Sequence, residues 1–219
     1  TRNRLASFTT SDGALTSFNP NASGTINTLA LSSDNTTLYV GGSFTTIGGQ
    51  SRNRLASFTT SDGTLTSFNP DSDAVVYTLA LSSDNTTLYA GGEFESIGGE
   101  TRNYIAAINT SDYTLTPFNP DCGYIYTLSL RSDNTALYAG GEFTTIGTKT
   151  RSNLVAFYDP IPANPSNLSI TSSTETSLSL SWQDNSNNED NFVIESSTDG
   201  ISYANPVRLA SNTTSTTNS

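Results

Sequence analysis

The sequence predicts an all-β protein: antiparallel four-stranded blades of a β-propeller that form an incomplete ring, followed by an immunoglobulin-like β-sandwich fragment. The octapeptide at residues 1–8 returns at 51–58 and, with substitutions, at 101–108 and 150–157. Between these copies, short apolar runs have the length of strands and are bounded by turn residues. Small antiparallel sheets that repeat about every 50 residues are typical of propeller blades.

Four strands are predicted in each repeat. The central copies illustrate them at residues 77–82, 87–92, 53–59 and 64–68. An Asn-Pro pair follows the fourth strand and ends it, because proline cannot donate a hydrogen bond to a strand ladder. These pairs stand at residues 19–20, 69–70 and 119–120.

Turn residues separate the strands. Ser-Asp-Asn-Thr fits a tight hairpin, because Asp and Asn tolerate positive φ and bond their own backbone; it occurs at residues 33–36, 83–86 and 132–135. Ser-Asp-Gly at residues 11–13 and 61–63 predicts a second hairpin turn. The third copy has Tyr113 instead of this glycine, which predicts a different turn type there.

A glycine pair lies late in each second strand. Missing side chains at such a place allow a β-bulge or the close approach of a neighbouring sheet. A phenylalanine follows each pair and is predicted to fill the space between sheets. The pairs are residues 41–42, 91–92 and 140–141, and the phenylalanines are Phe44, Phe94 and Phe143.

The repeat resembles a known bacterial family. The string Leu-Tyr-Ala-Gly-Gly-Glu-Phe-Glu-Ser-Ile-Gly-Gly at residues 88–99, followed by Thr-Arg-Asn at 101–103, is similar to delta-sixty repeats. Members of that family look like β-propellers on large secreted proteins. The resemblance covers residues 1–158, where it implies about three blades plus a partial blade, and it brings no catalytic motif.

A second module follows a proline-rich linker at residues 159–165. The strand patterns at 177–182 and 191–195 resemble the opening strands of a fibronectin type III domain. In that resemblance, Leu178, Leu180 and Trp182 alternate towards the core. The module at residues 166–219 is therefore predicted to be an incomplete fibronectin type III-like sandwich that lacks its closing strands.

The blades are also predicted to be incomplete as a ring. Closed propellers have about four to eight blades, more than these repeats supply. The octapeptide at residue 1 stands in the middle of a repeat, so we expect further blades of the same chain before it, or strands from another copy. A head-to-tail contact between copies that does not close would produce a filament.

Composition excludes several kinds of function. The chain has 20 acidic and 9 basic residues, a net charge of −11 and no histidine. Histidine catalysis and Cys/His metal centres are therefore excluded, and nucleic acid and anionic lipid are poor partners for so acidic a chain. No apolar run has the roughly 18 residues needed to insert in a membrane. Cys122 is the one cysteine and is predicted to be a small half-buried or exposed thiol.

Carboxylates provide the candidate binding residues. Glu93 and Glu142 are equivalent positions that could act as a glycosidase acid and base, although solvated rim residues are the simpler interpretation. Asp71, Asp73 and the equivalent Asp121 could hold calcium or form an ordinary acidic loop, so calcium is possible and no other cofactor is predicted. The possible ligand face comprises Asp71, Asp73, Glu93, Glu95 and Glu100.

Two further sets of residues recur. An arginine opens every third strand and is predicted to pair with a neighbouring acid, with ligand binding as the alternative; these are Arg2, Arg52, Arg102 and Arg151. Asn-x-Ser/Thr sequons are possible glycosylation sites, and those at 35 and 85 are expected to accept a glycan without disturbing the fold. The sequons are Asn21, Asn35, Asn85, Asn109, Asn167 and Asn212.

The predicted function is that of a non-enzymatic extracellular, cell-surface or filament-forming protein that acts in adhesion, display or structural assembly. Repeated modules of this kind display surfaces rather than one buried catalytic pocket. Its predicted partners are other copies of itself or further domains of the same chain, with glycans as a further candidate. The alternative is a secreted propeller that binds or cleaves carbohydrate.

Overall fold

The computed structural model describes residues 2–158, 165–174, 177–185, 191–196 and 204–218. The chain divides into two compact units, Thr1–Tyr158 and Asp159–Ser219. In the described residues every regular element is a strand, so the prediction of an all-β chain with antiparallel sheets is confirmed. No helix in this part of the chain has the length and hydropathy of a membrane span.

The first unit contains three copies of one sheet. In each copy three antiparallel strands form the sheet, and a two-stranded ribbon joins its second strand to its third. The first copy has β1 (Ile26–Leu31), β2 (Thr37–Gly42), β3 (Thr46–Ile47), β4 (Gln50–Ser51) and β5 (Leu55–Thr59). The second has β6 (Val76–Leu81), β7 (Thr87–Gly92), β8 (Ser96–Ile97), β9 (Glu100–Thr101) and β10 (Ile105–Asn109). The third has β11 (Tyr124–Leu130), β12 (Ala136–Glu142), β13 (Thr145–Ile146), β14 (Lys149–Thr150) and β15 (Leu154–Tyr158).

The fourth strand is much shorter than predicted. Instead of a strand over 64–68, a single bridge joins Leu65 to Phe58, and equivalent bridges occur in the other copies. Side chains take the backbone groups that would continue the ladder: Thr66 Oγ1 accepts from Phe68 N at 3.2 Å, and the Arg52 guanidinium donates to Thr66 O at 3.0 Å. The chain therefore leaves the sheet after one bridge.

One strand boundary and one extra element also differ from the prediction. The third strand begins at Leu55 rather than at residue 53, because Arg54 has a φ of 64° that interrupts extended backbone. The ribbon β3–β4 was not predicted. It turns through Gly48 and Gly49, whose φ angles of 62° and 77° suit a tight hairpin.

The Ser-Asp-Asn-Thr turns form as predicted. Asn35 and Asn85 adopt φ angles of 59° and 63°. Asp34 Oδ1 accepts hydrogen bonds from Ser32 Oγ and from the backbone of Thr36, and these bonds hold the pKa of Asp34 below its usual value. The turn therefore uses an ionised carboxylate as its internal acceptor.

The prediction of a different turn at Tyr113 is wrong. Tyr113 has a φ of 66°, close to the 72° of Gly63, and its N–H donates to Asn109 O just as Gly63 N–H donates to Thr59 O. The Tyr113 ring packs edge-on against Phe68 with 5.3 Å between centroids. This contact compensates for the strain of a left-handed tyrosine.

Successive blades meet across the predicted glycines. A Cβ added at Gly41 would lie 2.9 Å from Val76 Cγ1, and one at Gly91 would lie 2.5 Å from Ile125 Cγ2. The next glycine of each pair faces the bulge in the first strand, which the register shift between Ile26 and Thr28 marks. Both predicted uses of the pair, close approach and bulge, are confirmed.

The same interfaces contain the buried core. Phe44, Phe94 and Phe143 are all buried, and the clusters of Phe94 and Phe143 contain residues of two successive sheets, which confirms the predicted role for these two. Hydrogen bonds cross each interface too: Leu79 N donates to Thr28 Oγ1 and, one repeat later, Leu128 N donates to Thr78 Oγ1, both at 3.1 Å. The two complete interfaces are therefore built from the same contacts.

The described residues of the second unit form two small antiparallel sheets, β16-β17-β20 and β18-β19. Trp182 is buried and contacts Phe192 of the other sheet, with ring centroids 5.5 Å apart. Leu180 is half-buried, whereas Leu178 is exposed instead of facing the core. The strands are β16 (Ser166–Ser173), β17 (Leu178–Gln183), β18 (Asn191–Ser196), β19 (Ala204–Ala210) and β20 (Ser215–Asn218). The predicted linker lies outside the described residues except for Pro165.

We predict that Gly91→Ala destabilises the first unit more than Gly140→Ala does, by about 1–3 kcal/mol. Both methyl groups would meet a threonine of the same sheet, but only the one at Gly91 would also meet the next blade, through Ile125. Urea unfolding of the two variants measures the difference. Equal losses of unfolding free energy would contradict the assignment of Gly91 to the blade interface.

Candidate functional site

Four tyrosines and two glutamates form the most chemically distinctive surface of the first unit, which we term the tyrosine face. Its members are Tyr77, Tyr104, Tyr124, Tyr126, Glu93 and Glu142. Tyr124 and Tyr126 flank Ile125 in β11, and Ile125 is fully buried in the blade interface. Tyr126 lies in the β-bulge between Ile125 and Thr127, and both tyrosines are exposed whereas Ile125 is buried.

Each glutamate of the tyrosine face holds a tyrosine hydroxyl. Tyr77 Oη donates to Glu93 Oε1 at 2.6 Å, and Tyr126 Oη donates to Glu142 Oε2 at 3.0 Å. The rings of Tyr77 and Tyr126 also contact each other, with centroids 5.4 Å apart. Tyr124 packs edge-on against Tyr104 at 5.0 Å. Two equivalent tyrosine–glutamate pairs therefore lie side by side on neighbouring blades.

The first blade lacks this pair entirely. Asn27 stands where the later copies have a tyrosine, and Ser43 stands where they have a glutamate. Asn27 Nδ2 donates to Val76 O at 3.0 Å, and Ser43 Oγ accepts from Thr25 N at 3.1 Å. Both members differ together: Asn27 bonds the backbone of the next blade, and Ser43 bonds the backbone of its own blade.

The carboxylates alter the acidity of the phenols. The hydrogen bond to Glu93, aided by burial and by the Glu93 charge, raises the pKa of Tyr77 to about 12. The hydrogen bond to Glu142 raises the pKa of Tyr126, with further contributions from burial and from the charges of Glu142 and Glu93. For Tyr104, burial is the largest cause of a raised pKa and the Glu95 charge is the next. These hydroxyls are therefore proton donors at neutral pH.

Tyr124 and Tyr126 present much of their surface to solvent, with exposed fractions of 41% and 46%. Flat aromatic surface beside carboxylate oxygens can stack on a ring and accept hydrogen bonds from hydroxyl groups. Each of the two glutamates is already engaged by a phenol. The arrangement suits binding of a polar ring compound.

The structure divides the predicted ligand face. Glu93 belongs to the tyrosine face, and the charge of Glu95 contributes to the raised pKa of Tyr104. Glu100 instead forms an ion pair with Arg102 at 2.9 Å. Asp71 Oδ1 accepts from Asn53 Nδ2 at 2.6 Å. The five predicted residues therefore do not act as one surface.

The acidic loops have structural partners. Asp73 Oδ1 accepts from Glu95 N at 3.1 Å and from Ser96 N at 3.2 Å, which ties the loop to β8. Asp121 Oδ1 accepts from Asn103 Nδ2 at 3.1 Å. In the described parts of the chain, no group of three or more Cys, Asp or Glu residues is placed to hold a metal ion.

The repeated arginines bind backbone carbonyls. Arg2, Arg52 and Arg102 each donate through Nη2 to the carbonyl of the threonine 14 residues later. The predicted pairing with an acid is seen at Arg102 with Glu100, while Arg151 donates to Thr150 O at 2.8 Å. The repeated guanidinium thus ties the third strand to the segment that leaves the sheet.

Two predictions about single side chains need correction. Asn85 Nδ2 donates to Ser33 Oγ, and Asn85 Oδ1 accepts from Ser33 N, both at 2.8 Å. A glycan at Asn85 would disturb this contact between blades, contrary to the expectation; the other sequons stay predictions. Cys122 is buried, and burial followed by the Asp121 charge raises the pKa of its thiol to about 12.

Sequence reasoning selected the glutamates and missed the tyrosines. The signal that could have found them is the Tyr124-Ile125-Tyr126 alternation beside Glu142 one strand away. That pattern shows which residues share a side of the strand. It does not show which side the next blade covers.

We predict that Glu93→Gln lowers the pKa of Tyr77 from about 12 towards the ordinary value of 10.0, because the charged acceptor is lost. A raised tyrosine pKa stabilises the fold below pH 10.0, and this contribution is lost as the pH rises through about 12. Carbon-13 NMR of Cζ-labelled tyrosine, assigned with Tyr77→Phe, measures the titration. Glu100→Gln, which alters a carboxylate paired with Arg102, is the control and should leave it unchanged; an unshifted Tyr77 in Glu93→Gln would refute the cause given.

Comparison with known proteins gives one family. No curated protein matches the sequence. The model of the Rax2 C-terminal beta propeller domain matches residues 5–124, which is more than half of the 219-residue chain. The match supports the propeller part of the resemblance, while the delta-sixty repeat and fibronectin type III assignments stay predictions. The sheets, their repeated interfaces and this match together show that the chain belongs to the Rax2 C-terminal beta propeller domain family.

Proposed function

We propose that this protein is a non-enzymatic extracellular propeller that serves structural assembly and adhesion at the cell surface. The Rax2 family is associated with the cell surface. The net charge of −11 and the absence of histidine from the sequence favour a display role over catalysis. The glutamates that could have acted as acid and base each hold a tyrosine hydroxyl.

The observation that carries this proposal is the apolar surface on the first sheet. Leu79 and Leu128, in the first strands of the second and third copies, are buried against the preceding blade. Leu29 occupies the same position in β1, and 48% of its surface is exposed; Leu31, two residues on, is equally open. We call the surface containing Leu29 and Leu31 the leading face.

The third sheet presents the complementary surface. Leu154 in β15 is 66% exposed, whereas its repeat equivalent Leu55 is fully buried. Tyr138 is exposed although its equivalent Tyr39 is buried. We call the surface containing Tyr138 and Leu154 the trailing face. Its residues are equivalent to Tyr39 and Leu55, which pack against the next blade in the first copy.

A leading face and a trailing face are the two halves of one interface. Blades of the same repeat type fit both faces. Such blades could come from the same protein or from other copies of the chain. Exposed apolar faces of this kind are typical of interaction surfaces. Because leading and trailing faces differ, contact between copies would be head-to-tail, and such contacts extend into filaments unless the ring closes.

We predict that the 219-residue chain associates in solution and that Leu29→Asp prevents it. Burying an unpaired carboxylate in the apolar interface costs more free energy than the contact between copies contributes. Light scattering over a concentration series should show a mass rising above 23.2 kDa for the unmodified chain and a constant 23.2 kDa for the variant.

Gln50→Asp adds the same charge at an exposed position of the β3–β4 ribbon and is the matched control. It should associate like the unmodified chain. An unmodified chain that stays at 23.2 kDa at every concentration would contradict assembly through copies. Electron microscopy of associated material then separates filaments from closed rings.

Glycan binding by the tyrosine face is the second candidate function. The exposed rings of Tyr124 and Tyr126 and the neighbouring Glu93 and Glu142 favour it, because sugars offer a ring to stack and hydroxyls to donate. This candidate uses different residues from assembly, since no member of the tyrosine face belongs to the leading face or the trailing face.

We predict that glycan-array binding falls at least about tenfold in the double variant Tyr124→Ala, Tyr126→Ala, the loss that about 1.4 kcal/mol of contact energy produces. Tyr138→Ala removes an exposed tyrosine from the trailing face and should leave binding unchanged. Absence of binding by the unmodified chain, or equal loss in the Tyr138 variant, would exclude the tyrosine face as a glycan site.

A further inference from the structure

A groove of about 640 Å³ lies beside the turn at Gly63, and no side chain of the repeat fills its centre. Its apolar wall consists of Phe18, Phe58 and Leu65, and Ser17 and Asp62 line its polar rim. Phe18 contacts Phe58 edge-on with 5.5 Å between centroids, so the ring is fixed on one side. Phe18 is only half-buried.

The next repeat shows what fills this space. Tyr113 is the equivalent of Gly63, and its ring covers Phe68, the equivalent of Phe18, at 5.3 Å in an edge-on contact. Phe68 is fully buried between this ring and the ring of Tyr39, whose centroid is also 5.3 Å away. The Tyr113 hydroxyl lies 3.4 Å from the hydroxyl of Ser67, the equivalent of Ser17.

The backbone is the same at both places. Gly63 and Tyr113 have φ angles of 72° and 66°, and both donate to the carbonyl four residues earlier. The groove at Gly63 is therefore open where the Tyr113 ring lies in the next repeat. It keeps the aromatic partner, Phe18, and the serine, Ser17, that the phenol would meet.

We propose that this groove binds a phenol ring, presented as the tyrosine side chain of a partner polypeptide. The ring would pack edge-on against Phe18, and its hydroxyl would reach Ser17. The groove is several times larger than a phenol ring, which leaves room for the backbone that carries the tyrosine. The site is separate from the tyrosine face and does not depend on the proposed function.

Gly63→Tyr is the decisive variant, because it copies the third repeat into the second. A Cβ at Gly63 would lie 2.8 Å from Phe18 Cδ2, so the Phe18 ring has to rotate. Gly13→Tyr is the matched control, because Gly13 has a φ of 70° and no atom lies within 4 Å of a Cβ added there. It introduces the same residue at the same turn without blocking the groove.

Titration with 4-methylphenol, the tyrosine side chain itself, tests the site by NMR. We expect saturable shifts of the Ser17, Phe18 and Gly63 resonances, with a dissociation constant on the order of 1 mM for so small a ligand. Binding should weaken at least about tenfold in Gly63→Tyr and stay unchanged in Gly13→Tyr. Absence of saturable shifts, or full binding by folded Gly63→Tyr, would overturn the proposal.

Two further measurements fix the ligand chemistry. Toluene, which lacks the hydroxyl, should bind more weakly, and equal binding would overturn the choice of a phenol. A peptide with the sequence of residues 109–115 should bind more tightly than 4-methylphenol, whereas its Tyr113→Phe form should not. Weaker binding of the peptide than of free 4-methylphenol would contradict the proposal that the phenol ring belongs to a polypeptide.

Discussion

The close approach of successive sheets at Gly41 and Gly91 is the constraint on which the propeller unit depends. With no side chain at these positions, Val76 and Ile125 of the next blade lie against the backbone itself. The same approach allows a threonine hydroxyl of one first strand to accept from the backbone of the next. It also decides which side of each first strand is buried, and so which side forms the tyrosine face.

Differences between copies, rather than the repeat itself, create the candidate sites. The backbone is closely repeated, even at Tyr113, where a tyrosine takes a left-handed conformation used by glycine in the other copies. On this common frame, Asn27 gives way to Tyr77, and Tyr113 replaces Gly63. One exchange adds a ring to an exposed surface; the other fills a groove that stays open in the neighbouring repeat. A repeat array diversifies in this way without changing its interfaces.

Assembly and display have a common physical basis. In an array, each blade contacts only its neighbours, so the terminal sheets carry the same apolar surfaces that are buried between interior sheets. Leu29 and Leu154 are exposed for this reason, although their equivalents Leu79 and Leu55 are buried. The tyrosine face includes none of the residues of the leading and trailing faces, although the rings of Tyr77 and Tyr126 contact each other between neighbouring blades.

The sequence by itself determined the β class, the repeat, the Ser-Asp-Asn-Thr turns and the glycine pairs, because each depends on local backbone geometry that a few residue types permit. It overestimated the fourth strand, since the bond from Phe68 N to Thr66 Oγ1 and the bond from Arg52 to Thr66 O are not visible in an apolar pattern. It named Glu93 but could not place Tyr77 or Tyr126 beside it. Which side of an alternating strand is covered is decided by the neighbouring blade, and therefore only by the tertiary structure.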